Sequence, residues 1–117
     1  MEIREFRDLK IWKLGMSIVI DVYRLTKSFP KDELFGLTSQ MRRAAVSIPS
    51  NIAEGFNRYH TKEFIRYLYI ALGSCAELET QLEIASDLAY LENETKLDLL
   101  ENINHETRML RNLIKKL

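Results

Sequence analysis

The chain has 117 residues, enough for one domain with a real hydrophobic core and too few for two. At 46% hydrophobic and 29% charged, with four glycines and two prolines, it excludes a low-complexity or disordered class. Seventeen Lys and Arg balance seventeen Asp and Glu, which argues against a generic polyanion binder, and the lone Cys75 excludes an intramolecular disulfide.

No segment alternates apolar and polar residues long enough for a strand, and the periodicity is helical throughout. An all-α, antiparallel up-down four-helix bundle is predicted for residues 1–117 as one domain, with helices at about 8–29, 38–57, 61–89 and 94–116. The opening MEIREFRDLKIW has no apolar signal core, and the longest uncharged run of note, 67–76, falls short of the roughly 18 residues a membrane span needs. A cytoplasmic protein without membrane contact is therefore expected. Asp8 is the expected cap of the first helix and Pro30 its stop, because a residue before proline avoids the helical region.

In the first helix the polar residues Lys10, Lys13, Ser17, Asp21, Arg24 and Ser28 form one narrow stripe, leaving two apolar rows where a bundle corner needs one. The third helix repeats the surplus with Ile65, Tyr69, Ile70, Leu72 and Ala76. Uncovered apolar area of this size marks an interface, so a homo-oligomer is expected; the alternative is that Ile3 and Phe6 fold back as a lid.

The second helix contains Pro49, yet Ala44 and Ala45 leave room for its ring, so a kinked but continuous helix is expected. Gln40, Arg43, Ser47, Asn51, Glu54 and Arg58 share one face. Ser47 and Asn51 are weak helix formers, so their side chains should bond something specific. We read Arg43, Ser47, Asn51, Glu54 and Glu77 as a structural polar network, with Arg43 reaching a carboxylate such as Glu77 or Glu79. Arg42 lies about 100° away and is left open as a phosphate contact.

The third helix begins at a predicted cap, Thr61, and the junction before it reads FNRYHTKEFIRY. Arg58, Lys62 and Arg66 recur every four residues around Tyr59, a pattern suited to neutralising phosphates and stacking on unpaired bases. Lys10 and Lys13 add charge from the first helix, and a solvated loop with no partner is the competing reading. Residues 1–66 hold twelve Lys and Arg against eight Asp and Glu, and residues 67–117 hold five against nine, so the chain is uneven despite its neutrality.

Catalytic signals are missing. His60 and His105 lie in no metal-spaced motif, Cys75 sits in an apolar stripe, Glu77 and Glu79 project to different faces, and the glycines are isolated. No catalytic residue, metal site or cofactor is expected.

The strings DLKIWKLG at 8–15, FP at 29–30, ELFGLTSQMRRAAVSIPSNIAEGFNR at 33–58 and GSCAELETQLEIA at 73–85 resemble the four-helix-bundle proteins encoded in intervening sequences of bacterial 23S ribosomal RNA genes. That family is similar to the accessory variability determinant of diversity-generating retroelements, a basic bundle that forms a pentameric barrel and engages nucleic acid. The resemblance implies a ring-shaped homopentamer whose partners are itself and RNA or a nucleic-acid-associated protein, without enzymatic activity. Two departures stand out: Ala89 precedes Tyr90 where the family commonly has glycine, and this chain is neutral where the retroelement proteins are basic. The residues alone equally fit a protein-interaction or scaffold module that binds no nucleic acid.

Overall fold

The computed structural model describes residues 2–117. Four helices account for most of it: α1 (Lys10–Thr26), α2 (Leu37–Phe56), α3 (Thr61–Asp87) and α4 (Asn93–Lys116), with 3-10 turns at Phe6–Asp8 and Lys31–Glu33. Among the described residues there is no strand. Each helix packs on its neighbour in sequence and α4 closes on α1, with no diagonal pairing among the described residues. Short connections make consecutive helices antiparallel, so the arrangement is an up-down bundle 42 × 25 × 20 Å across. No helix is long and apolar enough to cross a membrane.

The core follows the predicted helical stripes. Ile18 and Val22 of α1, Met41, Ile48 and Ile52 of α2, Leu68, Leu78 and Leu82 of α3, and Ile103 and Leu110 of α4 are fully buried. Truncating any of the leucines to Ala removes packing worth about 2–5 kcal/mol. α2 runs unbroken through Pro49, whose ring is buried. Gly15 of α1 makes room there, because a Cβ on it would lie 3.5 Å from the Pro49 Cβ and 3.4 Å from the Ile48 Cγ2.

The helix ends differ from the sequence expectation in four places. Asp8 does not cap α1: its carboxylate accepts hydrogen bonds from the Arg4 and Glu5 amides at 3.0 and 3.1 Å, closing the preceding turn and holding its carboxyl below the usual range. Leu9 occupies the cap position in an extended conformation. α1 then stops at Thr26 rather than Phe29, because the chain turns to bury Phe29 against Tyr90, ring centroids 5.4 Å apart. His60, not Thr61, holds the cap position of α3, with its carbonyl accepting from the Phe64 amide. α3 ends at Asp87, and Ala89 adopts φ 60° while the Tyr90 amide reaches back to the Ala85 carbonyl at 2.9 Å. That bond pattern is a Schellman closure with alanine in the position glycine favours.

One clasp had no signature in the sequence. Glu33 accepts a hydrogen bond from the Leu37 amide through Oε1 at 3.2 Å, capping α2, while its Oε2 accepts one from the Tyr90 hydroxyl at 2.8 Å. The carboxylate raises the Tyr90 phenol above its ordinary value and ties the first interhelix turn to the third.

Candidate interaction surfaces

The α2–α3 seam is built from small hydroxyls. Ser47 Oγ and Ser74 Oγ are 2.8 Å apart, and the Asn51 amide donates to both the carbonyl and the hydroxyl of Ser47 at 2.8 Å. The two weak helix formers thus bond each other and a partner helix, as their placement required. The arginines exchange the positions expected of them. Arg43 is exposed and makes no hydrogen bond or ion pair among the described residues, although it lines a cleft with Glu77. Arg42 is the anchored one: its Nε donates to Thr26 Oγ1 at 3.0 Å and its guanidinium lies 4.7 Å from the Tyr23 ring centroid. The reason is geometric. Thr26 and the Tyr23 ring of α1 give Arg42 an acceptor and an aromatic face, whereas no carboxylate among the described residues lies within ion-pair distance of Arg43. Glu54 pairs with Arg58 at 3.7 Å instead of joining the serines.

At the α2–α3 junction the candidate residues gather around Tyr67. Arg58 Nη2 donates to the Tyr67 hydroxyl at 2.9 Å, and Arg66 lies 4.7 Å from the same ring's centroid. Arg66 also bonds Glu63 through Nε and Nη2 at 3.1 and 3.3 Å, a fork that lowers the Glu63 carboxyl and raises the guanidinium. Tyr59 stands out at 85% exposure with φ 60°. Lys62, Lys10 and Lys13 are exposed and in no ion pair among the described residues.

The charge imbalance takes a different form in three dimensions. Gly15, Pro49 and Glu106 meet at one level of the bundle, and Ser47 meets Ser74 at nearly the same level. Cutting there leaves residues 2–15, 49–74 and 106–117 at one end, with eleven Lys and Arg against six Asp and Glu; the other end has six against eleven. The asymmetry between sequence halves is therefore an end-to-end polarity along the 42 Å axis. The C-terminal part of α4 contributes Arg108, Arg111, Lys115 and Lys116 to the basic end, four cations outside the predicted nucleic-acid candidates.

A third surface is apolar. Met16, Ile20 and Tyr23 of α1 and Val46 of α2 are exposed, and Phe35 is 93% exposed beside them. Tyr23, Phe35 and Val46 line one cleft along the α1–α2 groove, of about 600 Å³, together with Arg42 and Arg43, and Met16 and Val46 line a second, of about 320 Å³. The N-terminal turn covers only one end: Phe6 packs edge-on against Trp12 at 5.6 Å, while Ile3 stays exposed.

No curated protein matches the chain. The four-helix fold is shared with a crystal structure of a protein of unknown function from the S23 ribosomal protein family of Bacteroides thetaiotaomicron; the two are 24% identical over 90% of this chain and 95% of that one, with a TM-score of 0.83. The family model described as 23S rRNA-intervening sequence protein matches residues 7–112. Its match runs from the Asp8 turn through the serine seam and the polar junction nearly to the end of α4, and the chain belongs to that family.

Proposed function

We propose that the protein is a non-enzymatic bundle that associates with copies of itself and holds RNA, or an RNA-containing particle, at its basic end. The observation that carries the reading is the end-to-end charge polarity, because a neutral chain that gathers eleven cations at one end presents a local field its net charge conceals. The family's name connects it with ribosomal RNA genes, which agrees in kind. The α1–α2 groove supports self-association: an exposed phenylalanine in one cleft and an apolar cleft adjoining it at Val46 make a contiguous patch rather than scattered surface residues. The resemblance to the retroelement determinant suggests five copies in a ring, and cyclic symmetry about an axis near that of the bundle would place all the basic ends on one rim. A cytoplasmic location fits such a partner.

A second reading, a scaffold that binds only protein, draws on one specific feature. Arg58 and Arg66 already hold Glu54 and Glu63, so part of the junction's charge is neutralised internally. Exposed pairs of this kind are weak, however, and a phosphate displaces a carboxylate from such an arginine at little cost. Changing Arg58, Lys62 and Arg66 together to Gln separates the two readings. RNA affinity that falls several-fold, with a shallower salt dependence, supports the first; an RNA-free protein that assembles normally supports the second.

A further inference from the structure

We infer that the nucleic-acid surface continues from the junction across α3 into the cleft between α3 and α4, and that it takes a single strand. The inference rests on the RNA reading above and assigns to it a second set of residues. Lys62, Arg66 and Tyr69 are spaced by four and three, so they lie on one face of α3, and the loop residue Tyr59 leads into that face. The order along it is aromatic, basic, basic, aromatic. At its far end Tyr69 borders a small cleft lined by Leu72, Arg111, Ile114 and Lys115. On α4, Arg108, Arg111 and Lys115 are again spaced by three and four, which aligns them on one exposed face. None of the three is in an ion pair among the described residues, and none of Lys62, Arg108, Arg111 or Lys115 donates a side-chain hydrogen bond there.

The ordinary explanation for basic residues here is the negative end of the helix dipole, and it suffices for Lys115 and Lys116 in the last turn. It does not reach Arg108 and Arg111, which lie before that turn, because the dipole's influence is confined to the terminal turn. The placement of Arg111 beside Tyr69, with Arg108 one turn before it, therefore needs another cause. Tyr59 and Tyr69 are 85% and 57% exposed and lie outside the α1–α2 groove assigned to self-association, which suits them to stacking on unpaired bases. A duplex hides those base faces, so the aromatics favour a single strand whose phosphates meet the two rows of cations.

The test is fluorescence anisotropy with labelled single-stranded RNA, single-stranded DNA and duplex RNA. The wild-type protein is compared with R111Q/K115Q, Y69L, R58Q/K62Q/R66Q and, as a control at the acidic end, K27Q/K31Q; thermal melts establish that each is folded. R111Q/K115Q should weaken single-strand binding about tenfold and lower the salt slope by about 1.4, at ~0.7 for each phosphate no longer neutralised. Y69L should weaken single-strand binding without changing the slope, and K27Q/K31Q should bind as wild type. If only the junction triple variant weakens binding, the α3–α4 extension is wrong and the RNA reading survives. If duplex binds as tightly as single strand and Y69L has no effect, the single-strand assignment is wrong. If wild type binds none of the three at low salt, the RNA reading falls and takes this inference with it.

Discussion

Gly15 of α1 lies against Glu106 of α4: a Cβ on the glycine would be 3.1 Å from the Glu106 Oε2. Glu106 is fully buried, and neither carboxyl oxygen has a hydrogen-bond partner among the described residues. Burial alone pushes its pKa from 4.5 up to about 8. The folded protein therefore keeps a proton that the unfolded chain releases above about pH 4.5. The stability this group contributes is fully present below that value, falls as pH rises, and is lost once the folded group ionises near pH 8. Unfolding free energies from urea titrations across this range should show a decline from this group with a limiting slope of about 1.4 kcal/mol per pH unit. Glu106→Gln should remove that share of the decline, and an unchanged pH profile in the variant would assign it to other groups.

The same burial protects Cys75. Desolvation, with the nearby Glu106 carboxyl as the next contributor, raises its thiol to about 12, so almost no thiolate exists near neutral pH. A thiol reagent should label the folded protein only through transient opening, at a rate that rises with denaturant. Rapid labelling of native protein would show that the α3–α4 interior is open.

Two glycine-to-alanine substitutions should have opposite signs. A Cβ on Gly55 would lie 2.5 Å from the Tyr67 Cβ, so Gly55→Ala must push α2 from α3 and should cost about 1–3 kcal/mol. A Cβ on Gly73 meets nothing within 4 Å, so Gly73→Ala should stabilise the helix by about 0.5–1 kcal/mol. Thermal melts of the two variants check both directions.

Ala89 occupies a left-handed position that costs an L residue about 1–2 kcal/mol. Ala89→Gly should raise the melting temperature, since relief of that strain exceeds the extra chain entropy glycine brings to the unfolded state. A lower melting temperature would mean that the Ala89 methyl is stabilising.

Much of the fold was legible because four helices announce themselves by apolar spacing, and the bonds of Ser47 and Asn51 followed from their poor helix propensity. What depended on neighbouring helices was less legible. Arg42 and Arg43 differ by one position, and only the location of Tyr23 and Thr26 on α1 decides which of them is anchored. Glu106 does leave a signal in the spacing: Leu99, Ile103, Glu106 and Leu110 follow the four-three-four pattern of one buried face. The basic end was invisible to a division of the sequence into halves, because the antiparallel path brings residues 2–15 beside 106–117. The Glu33 clasp joins residues 57 apart in sequence and has no local signature.

Light scattering with ultraviolet absorbance, on protein purified at low salt, tests the central claim most directly. A discrete multiple of the 13.8 kDa chain is expected, five copies by the resemblance, with co-purifying nucleic acid that high salt removes. Val46→Glu, a charge placed where the two clefts of the α1–α2 groove meet, should reduce that mass while leaving the helical signal intact. A monodisperse 13.8 kDa monomer free of nucleic acid would contradict both self-association and RNA binding.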